Sequence, residues 1–126
     1  LPVSTIMSVP SNLVTLHPYF KAHPGRLPEI QALLPAFVDK TSTEPHCCFY
    51  EFTAWDDQIF CREGYAGAAA VLTHLENVGE LLGRMLTMAD LTRLELHGPA
   101  AEIEQLRAPL AHLQPAFFVV QCGLAG

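Results

Sequence analysis

Basic residues are scarce in this chain. Seven Lys and Arg stand against thirteen Asp and Glu, a formal charge of −6 over 126 residues. The seven form no cluster. Nucleic acid and anionic membranes are recognised by a concentrated basic patch, so neither is expected as a partner. Long apolar runs are also missing; the longest fall far short of the ~18 residues that cross a bilayer. Several chemistries lack their short motifs. There is no GxSxG, no P-loop and no GxGxxG, and no HxxxH or HxH pair that would hold a metal. His23, His46, His97 and His112 are scattered over turns and element ends. No metal and no cofactor is expected. The first residues, "LPVSTIMSVPSN", have neither a charged start nor a sustained apolar core, and do not read as a signal peptide.

The four cysteines, Cys47, Cys48, Cys61 and Cys122, include no CxxC pair. They are expected as free thiols, buried or half-buried, in a cytoplasmic protein. The functional alternative is a reactive thiol at Cys48 or Cys61. Half of the residues are apolar and 16% are charged, which is the composition of a folded chain. The length suits one domain. Residues 1–11 are assigned to a flexible arm and 12–126 to the domain, with 98–126 as an extension.

Strand formers dominate "NLVTLHPYF" (12–20), which predicts a first strand. Leu27, Ile30, Leu33, Leu34, Phe37 and Val38 then recur at steps of three and four, the buried stripe of a helix. Pro28 suits its first turn, and Pro35 predicts a kink. "HCCFYEFTAW" (46–55) and "QIFCREGY" (58–65) flank Asp56-Asp57 as an antiparallel hairpin. A two-residue loop sets Trp55 opposite Gln58, Phe52 opposite Cys61, Glu51 opposite Arg62 and Tyr50 opposite Glu63. Helices are expected over 67–77 and 78–89, and a strand over 90–98. Gly98-Pro99 opens a helix with the stripe Ile103, Leu106, Leu110 and Leu113, bent or ended by Pro109. "AFFVVQC" (116–122) closes the chain as a strand.

This order gives an α+β fold: a ferredoxin-like split βαβ with an antiparallel sheet, helices on one face, and an extra C-terminal helix and strand. The hairpin register places Cys48, Tyr50, Phe52, Ile59, Cys61, Glu63 and Tyr65 on the helix side. Phe49, Thr53, Trp55 and Phe60 share the other face with a Glu51–Arg62 ion pair. That face is too apolar to be fully wet, so a homodimer with sheets packed face to face is expected.

A carboxylate among aromatics and thiols is desolvated, which raises its pKa and suits Glu63 to accept a proton near neutral pH. A hydrogen-bonded Glu63 that only holds its strand is the structural alternative. His74, one helix further on, is either a base or hydrogen-bond donor, or a solvent-facing residue at a helix end. His17 joins the pocket if it faces the helices. Tyr50 and Tyr65, with Phe52 and Cys61, are candidates to shape the pocket, against an ordinary aromatic core.

Two stretches, "HPYFKAHPG" and "IFCREGYAGAAAVLTHLENV", resemble the antibiotic biosynthesis monooxygenase family of small dimeric α/β-barrel proteins. The carrying features are an apolar strand, Glu63, an aromatic at Tyr65, the "AGAAAVL" helix and His74. The resemblance spans roughly residues 12–97. It implies a dimer, a pocket in each subunit between sheet and helices, and cofactor-independent oxygenation of quinols or phenols. Related branches bind haem, isomerise small metabolites or have no known reaction. Tyr65 departs from the Trp of several active relatives. Haem-degrading relatives use a strand-1 Asn, near which this chain offers only His17. The segment 97–126 exceeds the usual last strand.

The leading expectation is therefore a cofactor-independent monooxygenase for a small aromatic or quinol-like molecule, with Glu63, His74 and His17 as catalytic residues. A non-catalytic ligand-binding or structural dimer is the alternative. An isomerase or cyclase, with Glu63 and His74 exchanging protons without oxygen, is a third.

Overall fold

The computed structural model describes residues 9–124; most of the expected 1–11 arm lies outside the described residues. Five strands and four helices follow in order: β1 (Leu13–Ala22), α1 (Leu27–Thr41), β2 (Cys47–Trp55), β3 (Gln58–Ala66), α2 (Ala68–Asn77), α3 (Gly79–Met85), β4 (Ala89–Gly98), α4 (Ala100–Leu110) and β5 (Ala116–Val119). A 3₁₀ turn, Ala111–Leu113, joins α4 to β5. The sheet order is β2-β3-β1-β4-β5. Its first four strands pair antiparallel in the ferredoxin-like arrangement.

The hairpin has the expected register, with Trp55, Phe52, Glu51 and Tyr50 opposite Gln58, Cys61, Arg62 and Glu63. Asp56 takes a positive φ of 51° in the two-residue turn, as such tight hairpins require. α1 runs through Pro35 as one element. Two expectations need correction. β5 joins β4 in parallel, which makes the sheet mixed. Chain direction explains it, because α4 carries the chain back along the sheet before β5 starts, as in a βαβ crossover. β5 is also shorter than the expected 116–122, ending at Val119.

Strand parity divides the side chains. Along β1, Val14, Leu16, Pro18 and Phe20 are buried beneath the helices, and Thr15, His17 and Tyr19 alternate outward. The inward residues build two apolar clusters. One joins Val14, Leu16, Tyr65 and Val71 to Ile103 and Leu106 of α4. The other joins Phe20 to Ile30 and Phe37 of α1 and to Val78 and Met85. α4 is thus part of the core, although it follows the split βαβ unit. Its Glu102 Oε1 accepts the Ala68 N–H at 2.9 Å and caps α2, where Gly67 has no side chain to do so. Gly67 holds φ +97°, and an added Cβ would meet Asn12 and Glu102.

The outward face carries Trp55, 73% exposed, with Phe49 and Phe118 also open to solvent. Glu51 and Arg62 pair there at 3.0 Å. Both are exposed, so the pair contributes little. Among the described residues no helix is long and apolar enough to cross a membrane.

If α4 is integral, Ile103→Ala, at a fully buried position, should cost about 2–5 kcal/mol. Urea unfolding should still show a single transition, with its midpoint lowered. An unchanged midpoint would mean that the extension is a dispensable appendage.

Candidate functional site

A cavity with about 560 Å³ of empty space, its mouth included, lies between the sheet and the helices. It follows the seam between the two apolar clusters: Leu16, Leu94 and Leu110 come from one, Phe20, Phe37 and Met85 from the other. Pro18 of β1 faces into it. Proline has no N–H to give a ladder. Beside it the β1–β3 pairing lapses between Leu16↔Glu63 and Tyr19↔Phe60. On the other side β4 shifts register between Tyr19 and Phe20. This bulge brings both Leu91 and Leu94 to the cavity wall.

The polar residues of the cavity gather over β2 and β3. Glu63 is only 4% exposed and His74 2%. Tyr65 donates its O–H to Glu63 Oε1 at 2.6 Å. His74 Nε2 lies 3.3 Å from the same oxygen. The other ring nitrogen, Nδ1, lies 3.0 Å from Glu44 Oε2. Asn77 Nδ2 donates to that Glu44 oxygen at 2.8 Å and fixes the carboxylate. The imidazole stands between two carboxyl groups and packs against the rings of Tyr50 and Tyr65, with centroids 5.2 and 4.9 Å away.

Burial sets the proton distribution. Desolvation pushes the Glu63 carboxyl up to about 7, although the Tyr65 and Cys61 hydrogen bonds act in the opposite sense. Desolvation also lowers His74, against the pull of Glu44. A hydrogen bond from Nδ1–H to Glu44 leaves Nε2 free to accept a proton from Glu63. Near neutral pH, Glu63 therefore exists in both protonation states beside a neutral imidazole. Burial holds the Tyr65, Tyr50 and Cys61 protons well above their ordinary ranges, so these groups serve as hydrogen-bond donors. Among the described residues no group of three His, Cys, Asp or Glu is arranged to hold a metal ion.

The structure brings Glu63, His74, Tyr50, Phe52 and Cys61 to one cavity. Three expected positions differ. His17 lies on the opposite face of the sheet, bonded to Thr15 Oγ1 at 2.9 Å, stacked near Phe60 and edge-on to His97. β1 continues to Ala22 through Pro18, and parity turns His17 outward. Tyr65 is fully buried, 0% exposed, and does not line the cavity; it supports Glu63 from behind. Cys48 is exposed, because a bulge between Cys47 and Phe49 gives the inward position to Cys47. All four thiols are free, but Cys122 is exposed and only Cys61 is fully buried. Glu44 was missed. It sits in the α1–β2 connection, where "TSTEP" reads as a helix breaker; an acidic residue just before a strand was the available signal.

The folded-state value of Glu63, about 7, lies above its ordinary 4.5. The unfolded chain therefore loses that proton first as pH rises. The stability from the neutral carboxyl is complete below about 4.5 and is lost as pH rises through about 7. Glu63→Gln keeps an acceptor for Tyr65 but does not titrate. Its stability relative to the parent should rise between pH 5 and pH 8 in urea unfolding; a difference independent of pH would show that Glu63 is ionised throughout.

Neither family models nor curated proteins give a match to this sequence. Solved structures do. MupZ from Pseudomonas fluorescens is 36% identical, with 91% of this chain and 95% of MupZ covered at a TM-score of 0.87. A candidate antibiotic biosynthesis monooxygenase from Chloroflexus aurantiacus is 19% identical, covering 70% of this chain and 93% of its own at 0.58. Another structure described as an antibiotic biosynthesis monooxygenase is 17% identical, covering 66% and 92%, also at 0.58. These last two share the fold. The chain belongs to one family with MupZ, and it has the fold of the antibiotic biosynthesis monooxygenase structures, in agreement with the motif around Glu63.

Proposed function

We propose that this protein is an acid–base enzyme that moves a proton at an oxygen of a mostly apolar small molecule. The observation that carries the reading is the imidazole of His74 held between Glu44 and Glu63 at the wall of an apolar cavity. Glu63 takes a proton from a substrate hydroxyl or a carbon beside a carbonyl. His74 passes it on or returns it to another substrate atom, and Glu44 steadies the imidazolium that forms. Tyr50 supplies a hydrogen bond to the oxygen as charge develops. Isomerisation or cyclisation needs only these steps.

Monooxygenation is the second reading, favoured by the sequence resemblance and the shared fold. Its first step is the same deprotonation, after which an electron-rich phenolate held in an apolar pocket reduces dioxygen. The two readings separate without knowledge of the natural substrate. A panel of quinols, phenols and hydroxy-carbonyl compounds should be incubated with the enzyme in air and under anaerobic conditions. Conversion that persists without oxygen supports proton transfer. Conversion that stops, with oxygen consumed in proportion to product, supports the monooxygenase. A cavity that converts nothing in either atmosphere returns the protein to the class of ligand-binding or structural dimers. In an active assay, kcat/KM should rise with pH through about 7 as Glu63 ionises. Glu63→Gln should lower kcat roughly 10²–10⁴-fold.

The working unit in this reading is a homodimer. The outward sheet face carries Trp55, Phe49, Phe60, Tyr19 and Phe118, an aromatic surface that a second copy of the sheet would cover. Sedimentation should give twice the 13.8 kDa chain mass, and Trp55→Glu should shift the population toward monomer. A monomeric parent would remove the dimer from the proposal.

A further inference from the structure

The cavity is polar at one end only. Tyr50, Cys61, Glu63 and His74 stand together over β2 and β3. From there it passes over β1 at Leu16 and Pro18 and reaches β4 at Leu91 and Leu94. The path from β2 to β4 crosses three interstrand spacings, roughly 14 Å at about 4.8 Å each. Beyond the polar cluster the lining side chains are apolar, and most are aliphatic. Its far wall comes from the extension, with Leu110 at the end of α4 and Leu113 in the 3₁₀ turn. Leu113 is half-buried there and Leu110 is buried.

This shape is selective. A second oxygen on a compact ring, as on a quinol, would lie against leucines with nothing to pair it, and an unpaired buried polar group is costly. A hydrocarbon chain loses nothing along the same path and gains by leaving water. Leu75, Val78 and Leu82 form the opposite wall from α2 and α3, so the passage is bounded on both sides by aliphatic groups.

We infer that the substrate is an extended aliphatic molecule whose reacting oxygen is held at Glu63 and His74, and that Leu110 and Leu113 of the C-terminal extension set the chain length accepted. This rests on the acid–base reading for the polar end; the far wall rests on the cavity alone. The extension thereby acquires a role in specificity in addition to its place in the core.

The test is binding of straight-chain primary alcohols from six to twelve carbons, about that range being chosen to bracket the roughly 14 Å path, with hydroquinone and 1-naphthol as aromatic comparators. Isothermal titration on the full chain reads it without any assay of turnover. Affinity should rise by about fourfold per methylene until the passage is filled, then level off. Leu113→Trp, at a half-buried position, should weaken the longest alcohols at least tenfold and leave the shortest unchanged. Leu113→Ala should move the plateau to longer chains. Three outcomes overturn the inference: tighter binding of the aromatic comparators than of every alcohol, affinity that does not change with length, or a Leu113→Trp effect equal for all lengths. Failure of the acid–base reading looks different. In that case Glu63→Gln leaves turnover of the converted panel compound unchanged while the length dependence of alcohol binding persists.

Discussion

A carboxyl group held inside an apolar core is the interaction on which the rest of this structure depends. Glu63 has one oxygen shared by the Tyr65 hydroxyl and the His74 imidazole. Without those partners its burial would be strongly unfavourable. With them, burial favours the neutral acid, and a surface-type side chain becomes a proton donor and acceptor near neutral pH. His74 is held in turn by Glu44, and Glu44 by Asn77. The chain of contacts ties β3 to α2 and to the α1–β2 connection, so the same groups that carry the proposed chemistry also fix where α2 sits.

The cavity has an equally local origin. A proline within the central strand removes one ladder donor, and a register shift in β4 lies beside it. The two irregularities occur where the apolar clusters meet, and the space between them stays unfilled. Regular strands at that place would put evenly alternating side chains there, and the two clusters would close into one.

Sheet parity assigns the rest. Residues over the helices build core and cavity, and those on the other face form an aromatic surface with a weak ion pair and the His17–His97 contact. The extension links both halves. Its Ile103 and Leu106 complete one cluster, its Glu102 caps α2, and its leucines bound the cavity. The extension in this way belongs both to the core and to the cavity wall.

The element order, the hairpin register, the inward direction of Glu63 and the outward direction of Trp55 were legible in the sequence. Period-two and period-3.6 patterns are local, and a two-residue turn leaves one register open. The polar end of the cavity was legible for the same reason, since Tyr50, Cys61 and Glu63 follow from parity on paired strands. Glu44 was not, because the contact between a connecting loop and a helix thirty residues away exists only once both pack on the sheet. Nor was the outward turn of His17, since alternation along a strand does not say which set of side chains faces the helices. The bulge that exposes Cys48, the parallel joining of β5 and the leucine wall at the far end likewise arise from packing. Sequence by itself determined which residues alternate and where the chain turns. Tertiary structure decided which of them meet, because burial, and with it the protonation of Glu63, is a property of the assembled core and not of any one segment.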